Sequence, residues 1–170
     1  MVYDDGVTTI LSENHYLITT TTGGAATVLG KLEDYLQTEW PELDVYLTSV
    51  TDHYATISVC GPNSKKIVSQ VIPDLDLSDE NFPHMSFKNA KIGEIKCRVM
   101  RISFTGEHSY EINVQANYCK SVCEKCIEGG KEFNITPYGT ETMHLLRAEK
   151  GFIIVGQDTD ATMTPIDLQM

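Results

Sequence analysis

The sequence predicts an α+β fold, with antiparallel or mixed sheets carrying packed helices, and three observations lead there. Residues 100–115 alternate apolar and polar on either side of a glycine turn, the pattern of a half-buried hairpin. Apolar residues at helical spacing interrupt such strands at several points. Proline and glycine breaks at Pro41, Gly61-Pro62, Pro73 and Gly129-Gly130 cut the chain into lengths suited to single elements. Strands interrupted by helices that must share a sheet face imply a layered α+β sandwich, with ferredoxin-like halves as its topology.

The elements follow in order. Val7 to Leu11 and His15 to Thr20 read as strands joined through Ser12-Glu13-Asn14. Val28, Leu29, Leu32, Tyr35 and Leu36 repeat at helical spacing, and that helix ends before Pro41. Val45 to Val50 and Tyr54 to Cys60 form a predicted hairpin over Thr51-Asp52-His53. Gly61-Pro62 opens a helix carrying Ile67, Val68 and Val71, which stops at Pro73. An irregular stretch leads into a β meander that contains the 100–115 hairpin. Asn117 is placed to cap a helix with Val122, Cys126 and Ile127, and Gly129-Gly130 is placed to end it. Pro137 to Lys150 supplies the last helix. No low-complexity linker divides the chain, so residues 1–170 are expected to form one domain.

Composition narrows the class. A chain of 170 residues with 41% hydrophobic content is long enough for one sizeable core. No apolar run approaches the roughly 20 residues that span a bilayer and no cleavable signal opens the chain, so a cytoplasmic protein without membrane contact is expected. The net charge of −11, with acids spread along the chain, argues against nucleic acid, which needs clustered Lys and Arg. Five cysteines, an odd number, do not describe a disulfide framework.

The chemistry concentrates in residues 101–112. Met100, Ile102 and Phe104 alternate with Arg101 and Ser103, a turn around Gly106 follows, and Tyr110, Ile112 and Val114 alternate with Glu111, Asn113 and Gln115. This places Glu111 on the polar face, with Arg101 and Ser103 as expected neighbours across the ladder. A fixed carboxylate accepts two parallel N–H bonds from an amidine-like edge, which orients a ligand as well as binding it. The plain alternative is an exposed Arg101–Glu111 ion pair, worth at most about 1 kcal/mol.

Other constellations have simpler explanations. Cys119, Cys123 and Cys126 have the spacing of a radical iron–sulfur motif, but i, i+4 and i+7 of a helix form one stripe that faces a core. The Cys123/Cys126 pair lies inside that helix, not at its N-terminus, where a redox motif would sit. Asp74, Asp76, Ser78 and Glu80 resemble the start of a calcium loop, but Asp79 stands where Gly is needed and Met85 where a bidentate Glu is needed. Thr19 to Gly24 lacks the Gly-Lys ending of a phosphate loop. His15, His53, His84, His108 and His144 show no metal-like spacing, and His108 is expected to be solvated at its turn. No metal site is expected.

Phe104-Thr-Gly-Glu-His-Ser-Tyr-Glu111 resembles the Tyr-Thr-Gly-Glu-Asp-Gly-x-Glu signature of the aminomethyltransferase (glycine-cleavage T-protein) family. Residues 1–11 resemble its Asp-Asp strand, Leu146 to Phe152 its Leu-Arg-Leu-Glu-Ala-Gly-Leu helix, and Gly156-Gln157-Asp158 with Thr164-Pro165 the turn that follows. Asp4-Asp-Gly-Val-Thr-Thr9, the Thr19–Thr22 tract, Leu36 to Trp40, Ile135 to Gly139 and Arg147 to Gly151 together resemble the folate-binding part of sarcosine oxidase alpha subunits, across essentially the whole chain.

The resemblance implies an aminomethyltransferase-like folate-binding domain and a tetrahydrofolate ligand. Glu111 would grip the pterin edge, Phe104 would pack on its ring, Arg101 would belong to the same binding face, and Asp5 would sit beside the reactive folate nitrogens as the catalytic group. It implies other sarcosine oxidase subunits as partners. Sarcosine would be oxidised at a flavin outside this segment, and the resulting imine trapped as 5,10-methylenetetrahydrofolate. No Gly-x-Gly-x-x-Gly occurs, so FAD, FMN and NAD are expected only elsewhere in such a complex. Met143 stands where the family has an Arg that holds the folate tail, which favours the sarcosine oxidase branch; an anionic tail would then need basic residues such as Lys91, Lys96 or Arg98, or a partner chain. Because the chain opens on a motif that resembles the middle of a domain, it is expected to be a fragment. The competing readings are a subunit-interaction domain with no ligand of its own and a T-protein-like aminomethyltransferase.

Overall fold

The computed structural model describes residues 1–169. The chain divides into two compact units, one made of residues 1–52 and the segment from Ile153 on, the other of His53–Phe152. Both contain helix, and the sheets are antiparallel, which makes the fold α+β as expected.

In the first unit, β1 (Gly6–Ser12) pairs with β2 (His15–Thr20) in a two-stranded ribbon, and a 3-10 turn at Thr22–Gly24 leads into α1 (Ala25–Thr38). The helix stops three residues ahead of Pro41, and Trp40 folds back so that its N–H donates to the Tyr35 carbonyl at 2.9 Å. Their rings meet edge to face at 5.3 Å. One face of the ribbon carries Ile10, Tyr16 and Ile18, which are 64%, 53% and 48% exposed.

The expected strand at Val45 to Val50 is absent. These residues form no strand and no ladder, and β3 (Tyr54–Cys60) pairs only with β6. Adjacent Val45 and Tyr46 are both exposed, so the segment has no buried face to select a register.

In the second unit, β3, β4 (Phe87–Ile92), β5 (Ile95–Met100) and β6 (Ser109–Gln115) form a four-stranded sheet in the order β3-β6-β5-β4. One face presents Val59, Cys97, Val99, Tyr110, Ile112 and Val114 to α2 (Ser64–Val71) and α3 (Cys119–Gly130). Ile67 and Val68 from α2, and Val122 and Cys126 from α3, complete that layer. The irregular stretch after Pro73 is part of the core, since Leu77 and Phe82 are buried there and Phe82 packs on Tyr110 with ring centroids 5.8 Å apart. α4 (Thr140–Glu149) follows.

The N-terminal end of α3 differs from expectation. Asn117 lies within a 3-10 turn, Ala116–Tyr118, and makes no capping bond; Tyr118 is the N-cap. α3 ends at Gly130, as the Gly129-Gly130 pair implies, and Ile135 packs there so closely that an added Cβ would lie 2.6 Å from its side chain. A 3-10 turn, Lys131–Phe133, follows, and the chain reverses at Asn134, in the left-handed region at φ 55°. Cys126 is buried and Cys119 and Cys123 are half-buried, with no metal-ligand cluster among the described residues.

Candidate functional site

The register of β6 decides the site. Tyr110, Ile112 and Val114 face the helices, so Ser109, Glu111 and Asn113 occupy the opposite face, as the alternation implies. Glu111 stands between Ser58 on β3 and Met100 on β5, and Asn113 between Thr56 and Arg98.

The expected cross-strand neighbourhood of Glu111 is therefore corrected. β5 ends at Met100, and the chain leaves β6 there, because the Arg101 N–H donates to the Ser86 carbonyl at 2.9 Å and its carbonyl accepts from Met85 N–H at 3.0 Å. With Met100 opposite Glu111, Arg101 belongs to the Tyr110 face. The assumed pairing was one residue out, which exchanges faces for every side chain involved.

Arg101 is instead the centre of a different network. Its Nη1 donates to the Phe82 carbonyl at 2.6 Å and meets Asp79 Oδ1 at 2.9 Å, and its Nη2 lies 3.2 Å from His108 Nε2. A guanidinium can only donate, so Nε2 is the acceptor and the proton of neutral His108 sits on Nδ1, 3.0 Å from Ser64 Oγ. Ser64 then passes its own hydrogen to the His108 carbonyl at 2.8 Å. His108 is thus half-buried and bonded through both ring nitrogens. Burial, and then the Arg101 charge, hold its pKa below the usual 6.5.

The 101–108 loop is also held at its tip. Gly106 adopts φ 73°, and the Lys150 stem lies over it so closely that an added Cβ would be 2.1 Å from Lys150 Cγ. Lys150 Nζ reaches Glu107 at 3.7 Å. Phe104 rides on this loop, not on a strand, and is 36% exposed.

Glu111 itself is half-buried, and its carboxylate makes no hydrogen bond or ion pair among the described residues. Burial raises its pKa above the usual 4.5. Tyr138 lies beside it, accepting from the Cys60 thiol at 3.2 Å. Burial, the Cys60 contact and the Glu111 charge push the Tyr138 phenol up to about 12. Asn113 is 5% exposed, and its Nδ2 has no hydrogen-bond partner among the described residues. The site thus offers a free acceptor pair and a free amide on one sheet face, with exposed Thr56 and Ser58 at its margin.

Asp5 lies in the first unit, half-buried just before β1. Burial, followed by the charge of Asp4, raises its pKa above the usual 3.8. Asp4 Oδ1 accepts the N–H groups of Asp5 at 2.8 Å and Thr21 at 3.3 Å. Of the side chains gathered on this face, Asn113 was legible from the alternation that placed Glu111. Tyr138 was not, since no local pattern ties it to β6.

An antiparallel sheet covered by helices on one face, with a carboxylate unpaired among the described residues on the other, defines an α+β domain with one candidate binding face. The sequence model of the GCVT N-terminal domain matches residues 1–170, and the chain belongs to that family. It is 56% identical over 171 residues to sarcosine oxidase subunit alpha of Corynebacterium sp. (strain P-1), covering 100% of this chain and 18% of that protein. The same subunit of Rhizobium meliloti (strain 1021) is 41% identical over 169 residues, 98% of this chain and 17% of that protein. An aminomethyltransferase of Thermoanaerobacter sp. (strain X514) is 34% identical over 125 residues, covering 73% of this chain and 33% of that protein. The chain thus spans under a fifth of the sarcosine oxidase relatives. No described helix is long and apolar enough to cross a membrane.

Proposed function

We propose that this chain is a tetrahydrofolate-binding module of a sarcosine oxidase alpha subunit. The observation that carries the reading is Glu111: a half-buried carboxylate without a partner among the described residues, on a strand whose backbone is fixed by ladders on both sides. Such a group is preorganised to accept the 2-amino and N3 hydrogens of a pterin. Phe104, on a loop tied at base and tip, would pack on the pterin ring. Arg101 acts here through its bonds to Phe82 and His108, by holding that loop. Asp5 is assigned by its motif, and a carboxyl of raised pKa is suited to proton exchange.

In the proposed reaction the imine formed from sarcosine loses its methylene carbon to the two folate nitrogens, giving 5,10-methylenetetrahydrofolate and glycine. The oxidation belongs to flavin chemistry elsewhere in the complex, with FAD, FMN and NAD bound outside this chain. Calorimetric titration with tetrahydrofolate tests the reading: saturable binding that Glu111→Gln abolishes supports it, and no binding by a folded chain rejects it.

A second reading is a subunit-interaction domain, favoured by the exposed Ile10, Tyr16 and Ile18 on one ribbon face. It predicts that substitutions there change assembly with partner subunits while Glu111→Gln leaves that assembly unchanged.

A further inference from the structure

We infer that Asn113 is the hydrogen-bond donor that completes the ligand edge opened by Glu111, so that the two residues together read a lactam-type heterocycle; the inference rests on the folate reading above. A carboxylate supplies acceptors only. A 2-amino-4-oxo pterin presents two donors, the 2-amino group and N3–H, and beside them one acceptor, the 4-oxo oxygen. Glu111 satisfies the donors and leaves the acceptor without a partner, which would cost affinity once the edge is removed from water.

The sheet places a suitable donor at the right interval. Asn113 is two residues along β6 from Glu111 on the same face, a separation of roughly 6.5 Å along the strand. A heterocycle lying along the strand can reach both. Asn113 is 5% exposed, and its Nδ2 finds no hydrogen-bond partner among the described residues. Buried side-chain amides are nearly always bonded, so an unbonded one beside an unpaired carboxylate marks a place where a ligand completes the set. Solvent reaches the β3 margin of this face, where Thr56, across the ladder from Asn113, and Ser58, across from Glu111, are exposed, and a ligand must enter from there to meet the buried amide. On the other side Arg98 is opposite Asn113, with its guanidinium 5.9 Å from the Phe87 ring centroid and its Nε also without a hydrogen-bond partner. A donor-only cation there attracts the oxygen end of the Asn113 amide, which favours presenting the nitrogen end to a ligand carbonyl.

The test measures affinity for 5-formyltetrahydrofolate, a stable reduced folate with the same edge, in the wild-type chain and in Glu111→Gln, Asn113→Leu and Asn113→Asp variants, with thermal melting of each. Asn113→Leu should weaken binding at least tenfold while leaving the melting temperature unchanged or higher, because the amide it replaces has no bond to lose. Asn113→Asp puts an acceptor against the 4-oxo oxygen. Its affinity should recover relative to wild type as pH falls and the new carboxyl gains a proton to donate. If wild type binds and Glu111→Gln abolishes binding, but Asn113→Leu stays within twofold of wild type or Asn113→Asp tracks wild type at every pH, this assignment is wrong and the folate reading stands. If the folded wild-type chain does not bind, both fall.

Discussion

Replacing Arg101 by Met separates the observed network from the ion pair that the hairpin pattern implies. The side chain is 14% exposed and donates to the Phe82 carbonyl and to His108 Nε2, while its salt-bridge partner Asp79 is 74% exposed. Methionine preserves most of the stem packing and removes the donors. Each bond from a charged donor contributes about 1.5–3 kcal/mol, and the exposed pair with Asp79 at most about 1 kcal/mol. Allowing for water reaching the vacated positions, a loss of about 2–4 kcal/mol is expected. With a urea dependence of about 2 kcal/mol per molar, the unfolding midpoint should fall by roughly 1–2 M. The substitution should also alter the acid limb of stability. The folded His108 pKa lies below its unfolded value of 6.5, by burial first and Arg101 second, so the unfolded chain takes up the proton first as pH drops. That contribution is present above the unfolded pKa and is lost as pH falls through the folded one. Without Arg101 the loss should shrink. A midpoint shift under 0.25 M, or a double-mutant cycle that couples Arg101 to Glu111 by about 0.5 kcal/mol or more, would falsify the network and restore the ladder pairing.

Further expectations concern the core and the site. Phe82→Ala should cost about 3–5 kcal/mol in denaturant unfolding, although Phe82 lies outside any strand or helix, because its ring is buried against Tyr110. Gly130→Ala forces a Cβ to 2.6 Å from Ile135 and should cost about 1–3 kcal/mol; a neutral result would mean that Ile135 yields freely. Glu111→Gln should stabilise the chain at neutral pH but not near pH 4. The folded carboxyl has a raised pKa, so its contribution is full below the unfolded 4.5 and is lost as pH rises through the folded value. Burial pushes the Cys97 and Cys126 thiols up to about 11, so both should resist alkylation in native protein at pH 8 while half-buried Cys119 and Cys123 react; mass spectrometry of labelled peptides reads this directly.

The residues that make the sheet also show where a local pattern suffices. Alternation along Tyr110, Ile112 and Val114 is a property of one strand, and it placed Glu111 and Asn113 on a common face without knowledge of any partner. Helical spacing in residues 28–36, with Pro41 beyond, likewise located α1 to within a few residues. The same local rule failed at Val45 to Val50, which join no ladder, and at Arg101 to Phe104, where an alternating string is a loop.

The sequence by itself thus determined the α+β class, most elements, and the face on which the candidate carboxylate stands, because side-chain direction in a strand or helix repeats with a period of a few residues. Only the tertiary structure decided what Glu111 meets across the sheet. The backbone groups of Arg101 bond to Met85 and Ser86, partners remote in sequence, and that choice ends β5 at Met100. It sends the guanidinium to Phe82 and His108, and leaves Glu111 unpaired beside Tyr138. Register depends on where each N–H and C=O finds its partner, and no period within a single strand encodes that.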